Sequence, residues 1–159
     1  MTASPTWPER WTEAGESGLM ARLVALQVVA GQQLETIASE HGIALADYLV
    51  LGVVRRSAGG VCAPSTICTV LRRTSGGMSL TLDRLEAAGW ITREPDPNDR
   101  RRVLVRLSTA GMTLAMAVNE SLHEWERALV GRRRLRTMVD AIDELLGVLE
   151  PRERSGTAH

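Results

Sequence analysis

Apolar positions recur along most of this chain at helical spacing, and in one central stretch at the spacing of strands. Leu19, Leu23, Leu26, Ala30, Leu34 and Ile37 mark one face of a long helix that starts after Gly15 and runs to about Glu40, where Gly42 ends it. The next segment, Leu45 to Ser57, is apolar almost all round through Tyr48, Leu49, Val50, Leu51, Val53 and Val54, which predicts a buried, central helix. Ser57-Ala58-Gly59-Gly60 breaks it. Pro64 suits a first helical position and opens a short helix through Leu71, with Ile67 and Leu71 inward. Arg72-Arg73-Thr74-Ser75-Gly76-Gly77 then turns the chain into a further helix, capped by the Thr74 oxygen and stopped at Gly89. Met78, Leu82 and Leu85 form its core face; Gly76, Leu80 and Arg84 lie opposite, flanked by Ser75, Ser79 and Asp83.

After Gly89 the period changes to two. Ile91 to Glu94 and Arg102 to Leu107 alternate as strands, and Pro95-Asp96-Pro97-Asn98-Asp99 between them is turn chemistry. Ser108 or Thr109 caps another helix, Ala110 to about Val130, and Gly131 leads to a last one, Arg132 to about Glu150. Leu135, Met138, Val139, Ile142, Leu145, Leu146 and Leu149 form a continuous stripe along that final helix. Two short helices joined by a turn and followed by an arginine-tipped hairpin predict a winged helix-turn-helix, the second short helix being the reader. One chain has no core left for the stripes of the first, fifth and sixth helices, so they are expected to zip against a second copy. The fold class is therefore mainly α with a β-hairpin wing (α+β). It has six or so helices in a single domain over residues 1–159. Residues 1–42 and 108–150 serve dimerisation and 45–107 form the winged lobe. Residues 1–14 read as loop with Pro5 and Pro8, yet Trp7 and Trp11 are large enough to be expected against another element or a partner subunit.

Composition changes this picture in one respect. The chain has 159 residues, 44% of them apolar, and a formal net charge of zero, which alone argues against a nucleic-acid binder. The distribution reverses that argument. Residues 1–54 carry a balance of −4, residues 55–106 a balance of +5, and residues 107–159 a balance of −1. A basic middle between acidic flanks is the footprint of a local DNA surface. All 19 basic residues are arginine, which suits bidentate contact with phosphate and guanine. Two cysteines, Cys62 and Cys68, make no disulfide framework, no apolar run reaches a membrane span, and no signal peptide is legible. A cytoplasmic protein, with no membrane partner, is expected.

The run G-G-M-S-L-T-L-D-R-L-E-A-A-G-W-I from Gly76, followed by D-P-N-D-R-R-R-V-L-V-R-L-S-T-A-G from Asp96, resembles the MarR family of bacterial transcription regulators. The resemblance extends over about Leu19 to Leu149. It implies a homodimeric repressor on double-stranded DNA with a palindromic operator, released by a small-molecule effector, aromatic or anionic, and no cofactor. Carried over by position, it implies that Thr74, Ser75, Gly76, Ser79, Leu80, Thr81 and Arg84 serve the major groove. Arg100 and Arg101 would then reach the minor groove, with Asp99 orienting Arg101 by a charge-assisted hydrogen bond. The Gly76-Gly77 pair would let the helix start approach the DNA backbone. The G-G-M-S segment and the tryptophan-bearing N-terminus look most like the PecS and urate-responsive branch, which suggests an effector pocket near Trp11, Tyr48 and Leu49. Two departures remove the charge partners of an anionic purine: Leu49 stands where that branch has an acid, and Thr81 where it has an arginine. Urate is therefore not expected.

Other readings have less behind them. A thiol-based redox sensor using Cys62 and Cys68 would lack the first-helix cysteine that oxidant-sensing members of the family keep. His41, His123 and His159 are scattered and no zinc-ligand spacing occurs. An H-E-x-x-H, a G-x-S-x-G elbow and a phosphate-cradling loop are all missing, so an enzyme is not expected. A winged helix for protein contact conflicts with the arginine tip.

Overall fold

The computed structural model describes residues 18–97 and 99–149. Its elements in chain order are α1 (Leu19–Glu40), α2 (Leu45–Arg56), a single 3-10 turn (Ala58–Gly60), β1 (Val61–Cys62), α3 (Pro64–Leu71), α4 (Ser75–Ala87), β2 (Ile91–Asp96), β3 (Asp99–Leu107), α5 (Thr109–Leu129) and α6 (Arg132–Leu149). The chain forms two compact units that divide after Val118, within α5, so α1 belongs to the same unit as the winged lobe.

In the first unit α2 is the centre, as its all-round apolar sequence requires. Val50, Leu51 and Val54 are fully buried there, together with Ile67 of α3, Leu85 of α4, Val105 of β3 and Val118 of α5. Burying each such side chain contributes roughly 1.5–3 kcal/mol, enough to fix two short helices that would not persist alone. Gly42, at φ 71, reverses the chain between α1 and α2, and Gly59 and Gly60, both at φ 67, do so after α2. Helix α4 begins as its cap predicts, with Thr74 Oγ1 accepting from the Gly77 amide at 3.4 Å.

The sheet is three-stranded and antiparallel in the order β1-β3-β2. β1 is too short to leave a periodic signal; it pairs Val61 with Arg106 and Cys62 with Val105. The hairpin is longer than its composition suggests. Pairing continues through Pro95 with Val103 to Asp96 with Asp99 across a bulge. Pro95 is tolerated because β2 is an edge strand and its missing N–H breaks no ladder. Ser108 caps α5, accepting from the Gly111 amide at 3.0 Å while its hydroxyl donates to Gly89 O at 2.6 Å. Gly111 lies so close to the Trp90 carbonyl that a β-carbon there would stand 1.9 Å from the oxygen.

In the second unit, α6 follows the break at Gly131, and Arg127 of α5 holds Glu120 at 2.8 Å. Large apolar side chains stay exposed in each unit: Leu19, Met20, Val24, Leu26, Val28 and Val29 on α1; Met138, Val139, Ile142, Leu146, Val148 and Leu149 on α6. Among the described residues no single helix is long and apolar enough to cross a membrane.

Candidate nucleic-acid interface

The outward face of α4 is small and polar because the three-four spacing of Met78, Leu82 and Leu85 turns every larger apolar side chain except Leu80 inward. Thr74, Ser75, Gly76, Gly77, Ser79, Leu80, Asp83 and Arg84 are exposed, and Leu80 is 69% accessible. Thr81 is not among them. It is 4% accessible and its hydroxyl donates to Gly77 O at 3.1 Å, so its assignment to the major groove is corrected. The reason was available in the spacing, since Thr81 lies three residues after Met78 and four before Leu85, on the core side.

Arg84 is held from below. Its Nε and Nη2 donate to Asp47 Oδ2 and Oδ1 at 3.0 and 2.5 Å, a fork on a carboxylate that is only 6% exposed. These hydrogen bonds, and then the opposite charge, raise the Arg84 guanidinium above the ordinary arginine value. The neighbours Asp83 and Glu86, the partners that sequence proximity suggests for Arg84, pair instead with Arg93 of β2, at 2.7 and 3.3 Å. The Arg93 amide also donates to Glu86 at 3.2 Å. Helix α4 is thus tied by charge to α2 on one side and to the hairpin on the other. Asp47 carried a signal in the sequence: a lone acid in a helix apolar all round needs a buried partner.

The wing differs from expectation at Asp99. Its carboxylate accepts from the Arg101 backbone amide at 3.1 Å and faces the Arg102 Nε at 3.7 Å, so it does not orient the Arg101 guanidinium. A short carboxylate bonding the main chain two residues on is the local option that aspartate favours in turns. The Arg101 side chain is exposed; the backbone of Arg100 lies in β3. Arg106 braces the hairpin base, with Nε and Nη2 each 2.9 Å from Glu94 Oε1 and Nη1 donating to Gly59 O at 3.3 Å.

Of the suggested effector residues, Tyr48 is 5% accessible and belongs to the core, Leu49 is half-buried, and Trp11 lies outside the described residues. Adjacent positions on a helix point about 100° apart, so Tyr48 and Leu49 do not face one space. An acid on α2 and an arginine on α4 are nevertheless present, as Asp47 and Arg84, bonded to one another. Cys62 is buried in β1 and Cys68 half-buried in α3, both as free thiols. Among the described residues no group of histidine, cysteine or carboxylate side chains could hold a metal ion.

A capped reading helix, a supporting helix and an antiparallel hairpin at its end define a winged helix-turn-helix protein. The family model described as "MarR family" matches residues 41–102. The transcriptional regulator PecS of Dickeya dadantii is 29% identical over 113 residues, 70% of this chain and 68% of that protein. The multiple antibiotic resistance protein MarR of Escherichia coli is 36% identical over 86 residues, 52% of this chain but only 58% of that protein. A crystal structure of mutant MarR from Escherichia coli superposes with TM-score 0.68 at 27% identity, covering 81% of this chain and 96% of that one. The same protein complexed with operator DNA gives 0.60 at 26%, covering 82% and 99%. Residues 41–102 thus match the MarR family, and the relatives and solved structures that this chain resembles include transcription regulators of that family.

Proposed function

We propose that this chain is a sequence-specific DNA-binding regulator that acts in the cytoplasm as a homodimer on a palindromic operator. The observation that carries this reading is the exposed polar face of α4 beside an arginine-rich hairpin, each held by ion pairs to the rest of the lobe. Thr74, Ser75, Gly76, Ser79, Leu80 and Arg84 face the major groove, where hydroxyls and an apolar tip discriminate base edges and a thymine methyl. Arg101, with Arg100, enters the minor groove, whose negative potential favours arginine. The exposed apolar faces of α1 and α6 are covered by the second copy, which sets the two reading helices on one palindrome. Repression, with release by a small aromatic or anionic molecule, is the regulatory mode carried over from the family.

Retardation of a duplex selected from random DNA by the wild-type protein tests the central claim. Log affinity is expected to fall linearly against log salt, with selected DNA bound far more tightly than random duplex. Equal affinity for both would sink the specific-regulator reading. A thermal-shift screen of small aromatic acids tests the effector, and no shift with any of them would remove that part.

A further inference from the structure

The net positive charge of residues 55–106 is not spread evenly once internal partners are assigned. Arg84, Arg93, Arg102 and Arg106 each face a carboxylate, and Arg56 donates to Gly52 O. Arg72 and Arg73 do not. Both are exposed in the turn between α3 and α4, and among the described residues neither guanidinium has a hydrogen bond or ion pair.

Arg72 is also the described non-glycine residue with positive φ, at φ 50 and ψ 46. The left-handed conformation closes α3, with the Arg72 amide donating to Thr69 O at 3.3 Å and the Arg73 amide to Cys68 O at 3.0 Å. Glycine takes this position at a helix end without steric cost, whereas an arginine β-carbon crowds the following carbonyl. The local backbone thus disfavours the side chain that the sequence places there. The turn lies directly before Thr74, the cap of the reading helix.

We infer that Arg72 and Arg73 form a phosphate-binding pair that grips the DNA backbone beside the groove read by α4. This inference rests on the DNA-binding reading above and adds two residues to it. Two adjacent guanidiniums without internal counter-ions keep their full charge for an external anion. A backbone contact fixes register on the duplex while carrying no sequence information.

Arg72→Gly separates the two roles of the position, because it relieves the backbone and removes the charge together. Its melting temperature is expected to equal or exceed that of the wild type. Its affinity is expected to fall about five- to tenfold near 0.1 M salt, by the same factor on the selected duplex and on random duplex. The slope of log affinity against log salt should decrease by about one, and by about one again in Arg72→Gly/Arg73→Gln. A lowered melting temperature would overturn the strain argument. Unchanged affinity and slope, with Arg101→Ala weakening binding as expected, would overturn this inference alone. Weakening confined to the selected duplex would make Arg72 a base reader and also overturn it. Failure of the wild type to bind any duplex would remove it together with the functional reading.

Discussion

Replacing Gly111 by alanine should destabilise the protein, although helix propensity predicts the opposite sign. In a helix interior alanine is better than glycine by about 1 kcal/mol. Here the added β-carbon would stand 1.9 Å from Trp90 O, 2.8 Å from its carbonyl carbon and 3.1 Å from its α-carbon. An ordinary carbon–oxygen contact is about 3.3 Å or longer, and all three obstacles are backbone, so no rotamer relieves the overlap. Relief requires the start of α5 to move away from β2. That motion strains the bond from the Ser108 amide to Trp90 O, 3.0 Å, and the one from the Ser108 hydroxyl to Gly89 O, 2.6 Å. Overpacking costs about 1–3 kcal/mol and each weakened hydrogen bond about 1. Set against the propensity gain, the net loss is about 2–4 kcal/mol, or roughly 4–16 °C in Tm for a chain of this size. Urea and thermal denaturation followed by circular dichroism measure it directly. A Tm at or above that of the wild type would show that α5 reseats freely and would refute the steric reasoning.

Other expectations concern the interface. Arg101→Ala should weaken binding to the selected duplex by on the order of 1–3 kcal/mol, measured by fluorescence anisotropy; unchanged affinity would take Arg101 out of the groove. Asp47→Asn keeps the shape but removes the charge beneath Arg84, and affinity should drop on the order of tenfold, the scale of one positioned side chain. The double variant Asp47→Asn/Arg84→Ala should bind no worse than Arg84→Ala, and additive losses would mean the two act separately. Leu146→Arg should shift the protein toward monomer in sedimentation and abolish operator binding, whereas a stable dimer would place the subunit contact elsewhere.

The winged lobe was legible in the sequence because its signals are local. Thr74, Pro64 and Gly89 punctuate the helices as their chemistry dictates, and the inward stripe of Met78, Leu82 and Leu85 holds. What escaped is long-range. Arg84 finds Asp47, 37 positions earlier, and not its chain neighbours; Arg93 takes Asp83 and Glu86, ten and seven positions back. Two-residue strand β1 has no period to detect. Thr81 lies inside, as its spacing from Met78 and Leu85 dictates, although the family resemblance assigns it to the groove. At Asp99 a main-chain bond two residues away outcompeted the guanidinium of Arg101.

The fork between Asp47 and Arg84 also constrains how this sequence can change over generations. Losing the arginine first strands a buried carboxylate, and losing the acid first frees the arginine from its fixed pose on the reading face. Neither single step is neutral, so the two positions are expected to drift as a pair or stay put. In an alignment they would appear as correlated columns 37 residues apart, linking a core position to one on the reading face. A lineage that altered its operator through position 84 would have had to rebuild the interior at position 47 as well.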